Sequence, residues 1–392
     1  MHLRLSILLL ASFTFVETAV SESARRHETE SWTRGVWLTN VDSDVLFDPH
    51  RLEEAINILS KHGFNTLYPV VWNRGHTLYP SQASQRWTGA PQLPRLELAK
   101  RDALKEVIGH GQRYDMRVIP WFEYGLMMPA DSRLANEHPE WLTRRADGSA
   151  IWLLGGKTPM VWLNPLHPQV QAMLSELLSE LVDTYAVDGI QLDDHFGYHF
   201  QFGYDPRTLE LYQRDYPEAE PPPAPDLDQL TNCVHDDPDW QSWVDWRAAS
   251  ITHFVEKLVS TLKAIRPQLT ISVSPNPQTF SKNCYLLDWR AWHERGLIDE
   301  LVLQVYRDNM LSFGQELSKP EVHATRQSIP VVVGILSGLR SRHVSSSLLR
   351  QQIDMTRARR FSGVSFFFYE SLWNLADETP QERQRLFKEA LR

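Results

Sequence analysis

Near the middle of the chain, Asp188-Gly189-Ile190-Gln191-Leu192-Asp193-Asp194-His195 sets two adjacent carboxylates at the end of an apolar run. Such a pair is costly to bury unless it is paired or put to use. Alternation along a strand turns Gln191 and Asp193 the same way and leaves Asp194 at the following turn. Two glutamates also end apolar aromatic runs: Glu123 in Trp121-Phe122-Glu123-Tyr124 and Glu370 in Phe368-Tyr369-Glu370-Ser371. Cleaving a glycosidic bond takes two carboxyl groups across the scissile bond, one an acid and the other a nucleophile or base. Asp193 is the expected nucleophile or base, and Asp194 orients it or a substrate hydroxyl. The expected acid is Glu370 or Glu123, its pKa lifted by aromatic neighbours. Asp308 is a further candidate, set deeper in its loop.

Each of these carboxylates has a plainer reading. The aspartate pair fits a helix cap with a salt bridge, and the glutamates fit ion pairs with Arg34 or Arg74. A different chemistry is written in His195 and His199, whose four-residue spacing would suit a metal if the segment were helical. Gly197 between them argues for a loop. That alternative is a metal-dependent polysaccharide deacetylase, and a third reading is a noncatalytic glycan-binding barrel. The two-carboxylate reading calls for neither metal nor cofactor. Trp37, Trp72, Trp121 and Tyr306 have the flat faces that stack on sugars, a use that competes with ordinary packing.

These residues recur at the ends of eight β-rich runs: 34–40, 65–72, 117–124, 189–196, 269–276, 300–307, 330–337 and 363–371. Helical patterns lie between them, as in Leu52, Ala55, Ile56 and Leu59 after the cap Asp48 and Pro49. The run from Val170 to Val182 is another, and further helices are expected over 101–114, 242–265, 286–295, 345–359 and 381–391. Apolar strands alternating with helices predict parallel βα units. Eight of them predict a closed (β/α)8 TIM-type barrel, with an open doubly wound sheet as the alternative. No glycine-rich phosphate loop follows the first run, which weighs against a nucleotide-binding fold. Long loops over 125–167 and 197–240, after the third and fourth strands, are expected to wall a cleft on the carboxyl-end face. That face would present Trp37, Asn40, Trp72, Asn73, Arg74, Glu123, Asp193, Asp194, His195, Asn276, Tyr306, Asp308 and Glu370.

The N-terminus reads as an export signal. Met1 to Arg4 is basic, Leu5 to Val16 is apolar, and the small residues Ala19, Ser21 and Ser23 follow. The expected division is a signal peptide over 1–23 and one barrel domain over 24–392, exported to the periplasm or beyond and without stable membrane insertion. A net charge of -9 with no basic stripe excludes nucleic acid as the expected partner. The two cysteines, Cys233 and Cys284, are too few for a disulfide framework and read as incidental.

Several motifs together resemble the glycosyl-hydrolase-like family ten. They are Arg34-Gly-Val-Trp37, Gly63-Phe-Asn65-Thr, Leu163-Asn164-Pro165, the Asp188–Asp194 run, Ser274-Pro275 and Gln304-Val-Tyr306, in order between Trp32 and Trp373. The resemblance implies a barrel hydrolase of envelope or extracellular glycans, with peptidoglycan-type strands the favoured substrate. It makes Asp193 and Asp194 the family's acidic pair, Arg34 its first-strand arginine, and Asn164 and Tyr306 pocket residues. His195 stands where many relatives carry an aromatic. Glu123 and Glu370 are similar to a narrower, cyanobacterial-type branch, as are Phe122-Glu123-Tyr124-Gly125 and the Trp152–Trp162 loop.

Overall fold

A computed structural model describes residues 32–226 and 231–392; the expected signal segment lies outside them. Nine strands form the main sheet: β1 (Thr33–Leu38), β2 (Thr66–Pro69), β3 (Arg117–Val118), β4 (Trp121–Phe122), β5 (Gly189–Asp193), β6 (Thr270–Ser274), β7 (Glu300–Gln304), β8 (Val331–Leu336) and β9 (Gly363–Phe367). Every pairing is parallel, in the order β3-β2-β1-β9-β8-β7-β6-β5-β4.

The closed eight-stranded TIM barrel expected from the sequence is not what forms. The sheet is open and strongly curled, with nine strands rather than eight. The third expected strand is broken at Pro120, which has no N–H for a ladder. Its halves become the two edges of the sheet: β3 forms its ladder with β2 and β4 with β5, and an isolated parallel bridge joins Val70 to Trp121. The curl still places the carboxyl ends of all nine strands on one face, because parallel strands share a direction.

Helices between the strands cover the outside. Pro49–Lys61 starts where the sequence indicates, with Asp48 accepting hydrogen bonds from the backbone N–H groups of His50 and Arg51. Pro168–Thr184 buries Val170, Met173, Leu174, Leu177, Leu178, Leu181 and Val182, each contributing roughly 1.5–3 kcal/mol by leaving water. Pro238–Ile265 starts four residues before its expected position, at the cap Asp237. Beyond Tyr306, where the helical pattern is weakest, two short helices occur at Met310–Glu316 and Pro320–Thr325.

The long segment after β4 folds into its own antiparallel sheet of Met127–Pro129, Trp152–Leu154 and Thr158–Trp162. The segment after β5 carries the helix Pro206–Asp215. It is tied to the helix Gln278–Tyr285 by a disulfide between Cys233 and Cys284, 51 residues apart. The cysteines are therefore paired rather than incidental, and the bond joins the loops that follow β5 and β6.

Candidate active site

Asp193 is the last residue of β5, and its side chain is almost wholly buried. Its Oδ1 accepts from the Trp121 indole N–H at 3.1 Å and from the Ser274 hydroxyl at 3.5 Å. The His195 Nδ1 lies 2.8 Å from Asp193 Oδ2 and 2.7 Å from Asp194 Oδ1, so one imidazole spans both carboxylates. The amide of Asn276, just past β6, donates to Asp194 Oδ2 at 2.5 Å.

Electrostatics divides the pair. Burial, then the charge of Asp194, pushes Asp193 up to about 7, against the pull of His195. Burial also works to raise Asp194, but the His195 charge and the hydrogen bonds from His195 and Asn276 outweigh it and hold this carboxyl below its usual range. Burial would discharge His195, yet the two aspartates raise it well above the ordinary imidazole value. Asp194 and His195 thus form an ion pair at neutral pH, while Asp193 sits near its titration point.

Glu123 follows β4 directly and is 7% exposed. The amide of Asn73 donates to its Oε2 at 2.5 Å. Burial first, and the neighbouring Asp193 charge second, lift Glu123 to about 8, so it holds its proton at neutral pH. The backbone there fits closely: Tyr124 and Gly125 adopt φ of 58° and 33°. A Cβ on Gly125 would lie 2.6 Å from the His195 carbonyl oxygen, so only glycine lets the two turns meet.

Aromatic rings surround the carboxyl groups. Tyr124 stacks on His195 with centroids 5.1 Å apart, Trp162 lies 5.9 Å from the same ring, and Tyr285 lies 5.8 Å away. Tyr306, just past β7, has its hydroxyl pKa raised well above the ordinary value, first by burial and then by the charges of Asp193, Asp194 and Glu123. Its ring stacks on Phe367 at 5.7 Å. Trp37 donates to the Gln191 carbonyl at 2.7 Å and packs 6.3 Å from Trp121.

The ligand atoms of Asp193, Asp194 and His195 lie within 4.8 Å of one another, the one group among the described residues spaced to hold a metal. His199 is not part of it. It is buried against Trp152 at 4.1 Å, with its pKa pushed down to about 3 by burial and then by Arg145 and Arg247. The two-histidine arrangement that a deacetylase would need is not assembled.

Residues 32–356 match the family described as Glycosyl hydrolase-like 10. The chain belongs to this family. Among its relatives, "Glycosyl hydrolase DigH" of Escherichia coli K12 is 24% identical over 313 residues, covering 70% of this chain and 65% of that protein. "Glycosyl hydrolase YngK" of Bacillus subtilis 168 is 20% identical over 306 residues, covering 70% and 54%. The match therefore takes in less than two thirds of these relatives' lengths. In fold, the chain is similar to the PgaB (BpsB) glycoside hydrolase domain of Bordetella bronchiseptica, with a TM-score of 0.62, 13% identity, and 85% and 93% of the two chains covered. It is also similar to the β-amylase catalytic domain of Paenibacillus polymyxa, with a TM-score of 0.58, 10% identity, and 92% and 97% covered. The Glycosyl hydrolase-like 10 chain thus has a fold related to diverse sugar-acting enzymes.

Of the other residues singled out in this Glycosyl hydrolase-like 10 sequence, Trp72 and Arg74 flank the Glu123 turn and the rest lie away from the carboxyl cluster. Arg34 is near the start of β1, at the opposite end from the cluster, and donates to the carbonyls of Gly63 and Trp32. Asn164 is buried, donating to Asp205 at 2.8 Å and Thr208 at 3.0 Å, where it secures the start of the helix Pro206–Asp215. Trp72 is fully buried, stacked on Phe122 at 5.4 Å with its N–H on the Gly125 carbonyl, so it braces the Glu123 turn from behind. Arg74 is exposed beside the Tyr124 ring. Asp308 is exposed and accepts from Asn309 at 3.1 Å. Glu370 lies in the helix Tyr369–Trp373 and accepts from Ser43 at 3.2 Å and Asn374 at 3.1 Å.

Tyr124, Trp162, Tyr285 and Phe367 were not assigned to the site by sequence. Phe367 lies within an apolar run and was legible there. Tyr285 neighbours the disulfide-bonded Cys284, a link that spacing alone does not reveal.

Proposed function

We propose that the protein is an exported glycoside hydrolase in which Asp193 and Glu123 act across the glycosidic bond. The observation that carries this reading is the pairing of a proton-holding Glu123 with a semi-ionised Asp193 at one strand-end cluster. Glu123 donates its proton to the leaving-group oxygen. Asp193 serves as nucleophile or base once ionised, and Asp194 with His195 fixes its orientation. Two carboxyl groups with separated pKa values are the requirement of this chemistry. Glu370, bonded to Ser43 at the far side of the face, is the weaker candidate for acid.

The favoured substrate is an envelope polysaccharide, peptidoglycan-type glycan strands first. Export accords with the apolar leader, and the disulfide accords with an oxidising compartment. Among the described residues, no helix is long and apolar enough to cross a membrane. The test is product analysis after incubation with a panel of envelope and storage polysaccharides. New reducing ends from a glycan strand, formed equally after exhaustive chelation, support the proposal. Release of acetate without chain cleavage, restored by zinc after chelation, favours the deacetylase instead.

A further inference from the structure

On the same face as the carboxyl cluster lies a separate cavity of 390 Å³. It is built by the segments that follow four strands: Asn40 and Ser43 after β1, Arg95 after β2, Arg340 after β8 and Glu370 after β9. Its charged groups are largely satisfied internally. Arg340 meets Asp42 at 3.0 Å and Arg95 meets Asp44 at 2.8 Å, with the Arg95 guanidinium 4.0 Å above the Phe47 ring.

Two acceptors in the cavity are left with spare capacity. The side-chain carbonyl oxygen of Asn40 is shut off from water and has no hydrogen-bond partner among the described residues. A buried polar atom in that state asks for an explanation; Asn40 lines the cavity, so a turn of its amide would present the oxygen to a donor there. Among the described residues, Glu370 receives side-chain hydrogen bonds only from the neutral groups of Ser43 and Asn374. An ionised carboxylate can accept about four hydrogen bonds. The cavity therefore calls for O–H or N–H donors, and its three arginines (Arg51, Arg95 and Arg340) balance its three carboxylates (Asp42, Asp44 and Glu370), which suits an uncharged group.

Between this cavity and the carboxyl cluster lies an aromatic path. Tyr306, under the influence of Asp193 and Glu123, stacks on Phe367, and Phe367 is in turn 6.2 Å from Trp37. Tyr306 and Phe367 are both partly exposed, and Phe367 ends β9 three residues before Glu370.

We infer that the Asn40–Glu370 cavity is a distal subsite for an uncharged, hydroxyl- or amide-bearing sugar ring of the same glycan chain. The chain would run from Asp193 across Tyr306 and Phe367 to this cavity. This rests on the glycosidase reading and extends it: the preferred substrate is a polymer long enough to span both places, and recognition improves with chain length. Glu370 is then a binding residue for a remote ring.

The test measures calorimetric affinity of the Asp193→Asn protein for peptide-free peptidoglycan glycan fragments, from disaccharide to octasaccharide. Affinity should climb with length. Adding Glu370→Gln or Asn40→Ala should weaken the longest fragment roughly tenfold or more, as expected for losing hydrogen bonds to a buried acceptor, and change the disaccharide less than about twofold on the same scale. Asn40→Ala removes an oxygen with no protein partner, so its melting temperature should not fall, which separates binding from folding. Equal weakening at every length, or none at the longest, overturns the subsite while leaving the glycosidase reading intact. If the wild-type protein cleaves no fragment and the Asp193→Asn protein binds none, the glycosidase reading fails and the subsite falls with it.

Discussion

The two ends of the curled sheet each bury a glutamate, and they treat it in opposite ways. At the start of β7, Glu300 accepts from Tyr68 at 3.2 Å and Ser272 at 2.9 Å, and it meets the Arg117 guanidinium at 3.2 Å. Ser272 in turn accepts from Gln191, which holds the Trp37 indole. At the carboxyl end, Glu123 has one amide donor and the Asp193 carboxyl as a neighbour. Burial is nearly the same, but the partners differ. A buried carboxylate with a cation and hydroxyls is part of the framework, whereas one crowded by another carboxylate is held in a reactive protonation state. The network rooted at Glu300 extends through Ser272 to Gln191 and the Trp37 indole and stops short of Asp193, two residues further along β5.

Substitutions at the two ends should separate activity from stability. The largest effect is expected for Asp193→Asn. It keeps the shape and removes the charge, so turnover should fall by roughly three orders of magnitude while the circular dichroism spectrum and melting curve stay close to wild type. Loss of folding instead would place Asp193 with Glu300 in the framework. Glu300→Gln should do the reverse. Loss of its charge from Arg117, which is 40% exposed, should cost about 1–3 kcal/mol of stability, read from urea unfolding, with kcat of the folded fraction little altered.

The smallest effect tests the sign of the strain. Folded Glu123 binds its proton up to about 8, whereas the unfolded chain releases it in the ordinary carboxylate range. Between those values the folded state holds more protons, so this group's contribution to stability falls as pH rises. Glu123→Gln should therefore melt higher than wild type at pH 9, with the gain shrinking toward pH 4. A gain that grows as pH falls would contradict the raised pKa.

Much of the fold was legible because apolar runs and capped helices obey local rules, as at Asp48 and along Val170–Val182. The closed barrel was not, because a proline inside an apolar run changes the pairing without changing the pattern. Pro120 was visible, and the principle that proline sits at strand edges accounts for the open sheet. Within the site, Asp193, Asp194 and Glu123 were legible as residues ending strands. Arg34 lies at the other end of β1, and family likeness does not specify an end. Glu370 does not end its strand, which stops at Phe367, and it stands in the following helix. The disulfide depends on two loops meeting across 51 residues, which no local pattern encodes.

The pH dependence of kcat/KM on a glycan strand tests the central claim most directly. Asp193 must be ionised to act, so the rate should rise as pH increases through about 7. Glu123 must be protonated, so the rate should fall above about 8. A narrow bell between these limits, with the alkaline limb lost from the residual activity of Glu123→Gln, is the predicted result. A profile with no alkaline limb in the wild type, or one unchanged by Glu123→Gln, would contradict the assignment of these two carboxyl groups as base and acid.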